Sequence, residues 1–257
     1  MPNNLATRWL YARASAHVVT TGEALREQLI RDNGLPAARI TSVPTGIDPG
    51  RFPPTDAATR RARRAELGLP ATAPIVGIVA TLRSWKGHRY LIEALPALPA
   101  PDTRLVIVGD GPQREALVAQ AAAAGLGARV VFTGNRDDVA PWLQSFDVFA
   151  LPSYANEGVP QALLQAMFTG LGAVTTDAGA IPEIAVDGRT ALVVPREDVP
   201  ALTAALARLL ADPALSADLG AAARERVMAR HSLATMLQRM ESVFAQAADG
   251  RPATAAG

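Results

Sequence analysis

Short apolar runs alternate with amphipathic stretches along most of the chain, and that alternation admits few folds. Ile75–Leu82 (IVGIVATL), Arg104–Val108 (RLVIV), Arg129–Thr133 (RVVFT), Asp147–Leu151 (DVFAL), Ala173–Thr176 (AVTT) and Ala191–Val194 (ALVV) read as buried strands. Helical patterns fill the gaps at 86–98, 112–124, 137–145, 160–169 and 181–185, and continue at 199–210, 217–229 and 233–247. Six apolar strands separated by helices predict an α/β fold built on a doubly wound parallel sheet, Rossmann-like in type. An alanine-rich composition with few aromatics suits helices packed on Val- and Ile-rich strands.

The start of the chain follows a different plan. His17–Thr20 and Ile40–Val43 flank a helical stretch at 22–33, a single strand–helix–strand unit too small to hold a sheet alone. A linker is expected after it, containing Pro53-Pro54 and the basic run TRRARR at 59–64, which reads as a solvated helix face. The segments expected are a strand–helix–strand unit at 1–46, a linker at 47–72, a Rossmann-like domain at 73–232, a helix at 233–248 and a disordered tail at 249–257.

Several function classes drop out. A net charge of +1 gives no field that would recruit nucleic acid. With no cysteine there is no disulfide, thiolate metal site or cysteine nucleophile. Arg8 and Arg13 with no long apolar run argue against a signal peptide, and no stretch approaches a membrane span; a cytoplasmic location is expected, with at most peripheral contact with the inner face of the membrane. His17, His88 and His231 lack metal-ligand spacing, and His88 reads as a helix-surface histidine. No GxSxG, GxxxxGK[ST] or GxGxxG occurs, against a hydrolase elbow, a P-loop and a Rossmann dehydrogenase.

Ligands of an open parallel sheet bind beyond the carboxyl ends of its strands. Four loops here leave such ends. In TLRSWKG, Arg83 and Lys86 precede a helix start, where unpaired amides and the dipole already favour anions. The pair could clamp a diphosphate, or could be two cations on a surface loop, with Trp85 shielding the loop or covering a helix end. Gly109-Asp110-Gly111-Pro112 permits a tight turn and close backbone approach. TGNRDD, with Asn135 and Arg136, could pass a base or ribose beneath its backbone, or could be a capped turn. Most informative is PSYANEGVPQALLQAMFTG, where Glu157 precedes a helix opened by Gly158, Val159 and Pro160. Gln165 lies about two turns into that helix, and Gln161 one turn before it. Glu157 could accept hydrogen bonds from sugar hydroxyls, or could simply oppose the helix dipole.

These segments, in this order, resemble the C-terminal domain of family-four glycosyltransferases, the group 1 family of the GT-B fold. The resemblance runs from VPTGIDPGRF through RSWKG, VGDGP, FTGNRDDV, DVFALPS and NEGVPQALLQAM to VTTDAGAIPEIAVDGRTALVVP, nearly the whole chain. It implies a diphosphate-holding role for Arg83 and Lys86 and a donor-sugar contact, counted as catalytic, for Glu157. It also implies donor sugar and nucleotide contacts at Gly158, Val159, Pro160, Gln165, Gly111, Asn135 and Arg136. Gln165 stands where the family has a ribose-binding glutamate; an amide still bonds hydroxyls, so only the charge is lost.

The implied reaction is transfer of a sugar, with retention, from a UDP- or GDP-linked donor to a glycan or glycolipid hydroxyl in cell-envelope synthesis. Neither cofactor nor metal is expected, because cations and helix dipoles stabilise the leaving diphosphate. In the family, an N-terminal domain binds the acceptor and a C-terminal helix crosses back to pack on it. The resemblance implies that residues 1–46 are a remnant of that domain, matching only its last strand–helix–strand portion, and that 233–248 is the crossing helix. The chain alone is therefore expected to bind nucleotide-sugar weakly and to turn over poorly. Rival readings are a donor-binding subunit pairing with a separate N-terminal-domain polypeptide, an inactive truncated fragment, and a GT-B epimerase, to which Glu157–Pro160 and the Arg83/Lys86 pair are less well matched.

Overall fold

A computed structural model describes residues 15–248 together with Ala6 and Trp9; the expected tail at 249–257 lies outside the described residues. The chain divides into two compact units, one of residues up to Asp48 and from Ala229 onward, the other Pro49–Met228.

In the first unit, strands β1 (Val18–Thr20) and β2 (Ile40–Ser42) pair in parallel around helix α1 (Glu23–Asn33). Leu29, Leu35 and Ile40 form its small core. Gly34, in the left-handed conformation, ends α1 by turning its amide back to the Ile30 carbonyl, while the Leu35 amide reaches Leu29. The segment at Ile47 bonds to the His231 carbonyl and to the Leu233 amide, at the head of the final helix (Leu233–Ala248).

The second unit follows the predicted alternation. Helix α2 (Ala57–Glu66) precedes strand β3 (Ile75–Val79). Helix α3 (His88–Ala94), β4 (Arg104–Val108), α4 (Arg114–Ala123), β5 (Val130–Gly134), α5 (Ala140–Ser145) and β6 (Val148–Leu151) come next. Helix α6 (Gln161–Phe168), β7 (Gly172–Thr176), β8 (Leu192–Val194), α7 (Val199–Ala211) and α8 (Pro213–His231, counted in the unit as far as Met228) complete it, and α9 is the final helix named above. All six strands are parallel, in the order β5-β4-β3-β6-β7-β8. Strands β3, β4 and β6 are almost wholly buried, as continuous apolar runs in a sheet covered on both faces should be. Gly77 interrupts β3 because the Phe146 ring lies against it; a β-carbon there would stand 2.0 Å from the ring. Among the described residues no helix is long and apolar enough to cross a membrane.

The structure departs from the sequence reading in four places. β3 ends at Val79, and the Ala80 and Leu82 amides instead bond to Val108, the last residue of β4, and to Asp110 in the turn after it. The helix expected over 86–98 is broken: a 3₁₀ turn at Ser84–Lys86 leads through left-handed Gly87 into α3, and a second 3₁₀ turn follows at Leu95–Ala97. The helix expected at 181–185 is a 3₁₀ turn, Ile181–Glu183.

The fourth departure is the basic run, which is no solvated face. Arg64 is 4% exposed. Its Nε donates to the Ser145 carbonyl (2.9 Å) and its Nη2 to Asp147 Oδ2 (2.6 Å), while Nη1 reaches the Ala71 and Ala73 carbonyls. Asp147 Oδ2 also accepts the Ile75 amide (2.7 Å). Arg60 and Arg63 bond to the Phe146 carbonyl and the Gln144 side chain. The stretch expected as a linker thus carries α2, tied by three arginines to α5 and the entry of β6. Only Arg61 remains an exposed basic side chain without a recorded partner in this run.

Candidate functional site

The strand order locates the crevice. From β3 the chain builds outward through β4 to β5, then returns to the other side of β3 with β6 and continues to β8. The order reverses between β3 and β6, and ligands of such sheets bind at that point, beyond the carboxyl ends. The loops flanking it are 80–87 after β3 and 152–160 after β6.

An ion pair spans them. Lys86 Nζ donates to both carboxylate oxygens of Glu157, at 2.7 and 3.0 Å. The Glu157 side chain is 4% exposed and that of Lys86 20%, so the carboxylate is largely desolvated and the lysine side chain stays partly accessible. The loops are also stitched by their backbones, the Tyr154 amide bonding the Trp85 carbonyl at 2.9 Å. Gly87 is required here. Its φ is +77°, and a β-carbon would fall 2.1 Å from the Pro152 carbonyl oxygen.

A third loop, after β7, completes the cradle of Glu157. The Ala180 amide donates to the Glu157 carbonyl at 3.1 Å. Gly179, at φ +55°, lies so close that a β-carbon would stand 1.9 Å from that same oxygen. Asn156, just before Glu157, is held at φ 55°, where asparagine is among the better-tolerated residues. The sequence reading weighed four carboxyl-end loops for chemistry and gave this one, quoted only within the family phrase VTTDAGAIPE, no role. Its signal was the glycine of Asp177-Ala178-Gly179-Ala180, directly after an apolar strand.

The remaining predicted residues are distributed around this pair. Arg83 is exposed, its guanidinium 5.7 Å from the centre of the Trp85 ring. Gly158 is exposed, Val159 half-buried and Pro160 buried; Pro160 caps α6, and no side chain satisfies the first amides of that helix. Gly111 packs on Leu82, where a β-carbon would come within 2.8 Å of the backbone. The Gly109 amide bonds the Gly134 carbonyl, which brings the turn after β5 beside the turn after β4. Asn135 and Arg136 follow as exposed residues, with Arg136 over its neighbour Trp142 at 5.3 Å. Gln165 is half-buried in the second turn of α6, its carbonyl accepting from Thr169. The structure therefore joins Lys86 and Glu157 directly, places Arg83 and Gly158–Pro160 on the same two loops, and sets Gly111, Asn135, Arg136 and Gln165 on the surrounding turns and helix without bonding them to the pair. Among the described residues, no group of three or more His, Asp or Glu is placed to hold a metal ion.

His88 corrects the sequence reading. It is 1% exposed, not a surface residue, because the Gly87 turn swings the first residue of α3 inward. Neither ring nitrogen meets a partner at hydrogen-bond geometry. Burial, and after it the Lys86 ammonium, lowers its pKa from 6.5 to about 4, with the Ala80 carbonyl pulling the other way. The unfolded imidazole gains a proton below pH 6.5 that the folded one refuses until about pH 4. Stability from this group is therefore complete above about pH 6.5 and falls as pH drops toward 4, by on the order of 3 kcal/mol. His88→Leu is expected to flatten that part of the curve in urea denaturation at pH 7 and pH 4.5; an unchanged loss would contradict the assignment.

Comparison with known proteins shows the family. The model of the glycosyl transferases group 1 family matches residues 73–212. A GDP-mannose-dependent alpha-(1-6)-phosphatidylinositol monomannoside mannosyltransferase of Mycolicibacterium smegmatis is 38% identical over 74% of this chain and 52% of its own length. A D-inositol 3-phosphate glycosyltransferase of Xylanimonas cellulosilytica is 32% identical over 94% of this chain and 59% of its own. Among solved structures, Anabaena Alr3699/HepE in complex with UDP-glucose superposes with a TM-score of 0.85 at 25% identity, over 94% of this chain and 66% of that one. The C-terminal domain of the Francisella tularensis group 1 protein LpcC superposes with a TM-score of 0.66 at 25% identity, over 73% of this chain and all of that one. The chain spans little more than half the length of the curated relatives it matches. The match of the family model over more than half of the chain, with relatives 32–38% identical, shows that the chain belongs to the glycosyl transferases group 1 family.

Proposed function

We propose that the crevice between the β3 and β6 loops binds a nucleoside diphosphate sugar and that the chain acts in sugar transfer, with retention, to the hydroxyl of a glycolipid or cell-envelope glycan. The single observation that carries the reading is the Lys86–Glu157 pair bridging the reversal point of the sheet. Lys86 and Arg83 hold the donor's diphosphate, and the uncapped amides at the start of α6 add positive potential to the same place. As the sugar–phosphate bond breaks, negative charge grows on the leaving diphosphate, and fixed cations and amides are the groups that stabilise it. Glu157, already desolvated, accepts hydroxyls of the donor sugar, and Gly158, Val159 and Pro160 approach it through backbone. Gln165 bonds the ribose, while Gly111, Asn135 and Arg136 border the nucleotide. The mannosyltransferase relatives favour GDP-mannose as the first donor to test, and their phosphatidylinositol-linked acceptor supports a glycolipid acceptor at a membrane face.

Calorimetry discriminates the sugar contact from the phosphate contact. Glu157→Ala is expected to weaken binding of GDP-mannose or UDP-glucose by about tenfold while changing free GDP or UDP much less, since one to two hydrogen bonds to hydroxyls are lost. Equal losses for sugar-linked and free nucleotides would remove Glu157 from the sugar site.

A further inference from the structure

A cavity of about 390 Å³ lies at the opposite end of the sheet from the crevice. Pro74, Asp147 and Gly172 line it, and these stand at the amino ends of β3, β6 and β7. Strand β6, four residues and about 13 Å long, separates it from the Glu157 loop. Its volume is at the lower end of the range for small-molecule sites, ~300–1,000 Å³.

The wall offers unused hydrogen-bonding groups of both kinds. Arg60 spends its Nε on the Phe146 carbonyl, leaving its two terminal nitrogens without a recorded protein partner. Asp147 Oδ2 is saturated by Arg64 and the Ile75 amide, but Oδ1 has only Arg60 Nε at 3.8 Å, too far for a hydrogen bond. Thr55 Oγ1 is buried without a partner. Ser216 is 9% exposed, and glycine at 172 lets its hydroxyl approach β7, since a β-carbon there would lie 2.2 Å from the oxygen. Leu171 and Leu209 supply an apolar flank.

This set selects the ligand. A carboxylate in the wall works against an anion. The first amides of α8 do not compensate, because the Asp212 side chain caps Leu215 and its carbonyl takes the Ser216 amide. Guanidinium donors, one free carboxylate oxygen and two hydroxyls beside apolar carbon match a compound that carries several hydroxyls on a hydrocarbon ring. We propose that this cavity is a second ligand site, taking a neutral polyhydroxylated molecule of monosaccharide or cyclitol size.

Amide NMR of the ¹⁵N-labelled chain, titrated separately with D-mannose, D-glucose, myo-inositol and inorganic phosphate, tests it. The expected result is a saturable shift of Thr55, Arg60, Gly172 and Ser216 with at least one of the three polyols. That affinity should fall about tenfold in Thr55→Val and in Ser216→Ala, with each variant's spectrum otherwise intact. Three outcomes would overturn the proposal: no saturable shift at these residues with any polyol, polyol shifts confined to residues 83–87 and 157–160, or a site that answers to phosphate and not to polyols.

Discussion

Lys86→Ala is expected to lower the affinity of the chain for GDP or UDP by about 10- to 100-fold, the loss of one or more charge-assisted hydrogen bonds to phosphate. The same substitution has a second effect that must be kept apart from the first. It strands the Glu157 carboxylate, 4% exposed, without the ammonium that holds both its oxygens. A buried charge left unpaired is costly, so the variant should also be less stable. The double variant Lys86→Ala, Glu157→Gln separates the two, because a neutral amide tolerates the site without a cation. Its thermal midpoint should recover most of the loss while its nucleotide affinity stays low. Calorimetry and thermal unfolding of the three proteins supply the comparison; affinity that returned with stability would assign Lys86 a purely structural role.

Arg64→Ala is the substitution expected to cost most in stability, about 3–5 kcal/mol, with a fall in Tm on the order of 10 °C. The guanidinium is buried and joins Ser145, Ala71, Ala73 and Asp147. Removing it leaves the Asp147 carboxylate at the amino end of β6 with half its partners and unsatisfies the buried Ser145 and Ala73 carbonyls. Arg61→Ala, on the exposed side of the same helix, should leave the unfolding free energy within about 0.5 kcal/mol of the parent. Chemical denaturation measures both; similar losses in the two variants would mean that the basic run acts through helix propensity or net charge and not through the buried network.

Much of the second unit was legible in the sequence because its strands are buried on both faces. A run such as Arg104–Val108 has to be central in a parallel sheet, and β4 occupies those same residues. Where the reading failed, the cause was backbone chemistry that periodicity does not carry. Gly87 allows a left-handed turn that breaks the expected helix after Lys86, and that turn buries His88. The arginines at 60, 63 and 64 looked solvated because a helical wheel records charge and not the carbonyls that a neighbouring helix end presents. The candidate site shows the same division. Glu157 and the Arg83/Lys86 loop each admitted a bland reading from the residues alone and were singled out by the family resemblance, and nothing in the spacing said that Lys86 and Glu157 pair, since 71 residues separate them. The contribution of Gly179 was hidden for a similar reason: its role is a close approach to the Glu157 carbonyl, set by tertiary packing.

Hydrogen–deuterium exchange of the chain with and without saturating GDP addresses the central claim most directly. A nucleoside diphosphate seated at the reversal point of the sheet should protect peptides covering residues 80–89, 109–114 and 152–162, and leave those covering 55–64 and 213–217 unchanged. Protection absent from the first three segments at saturating nucleotide would contradict the account.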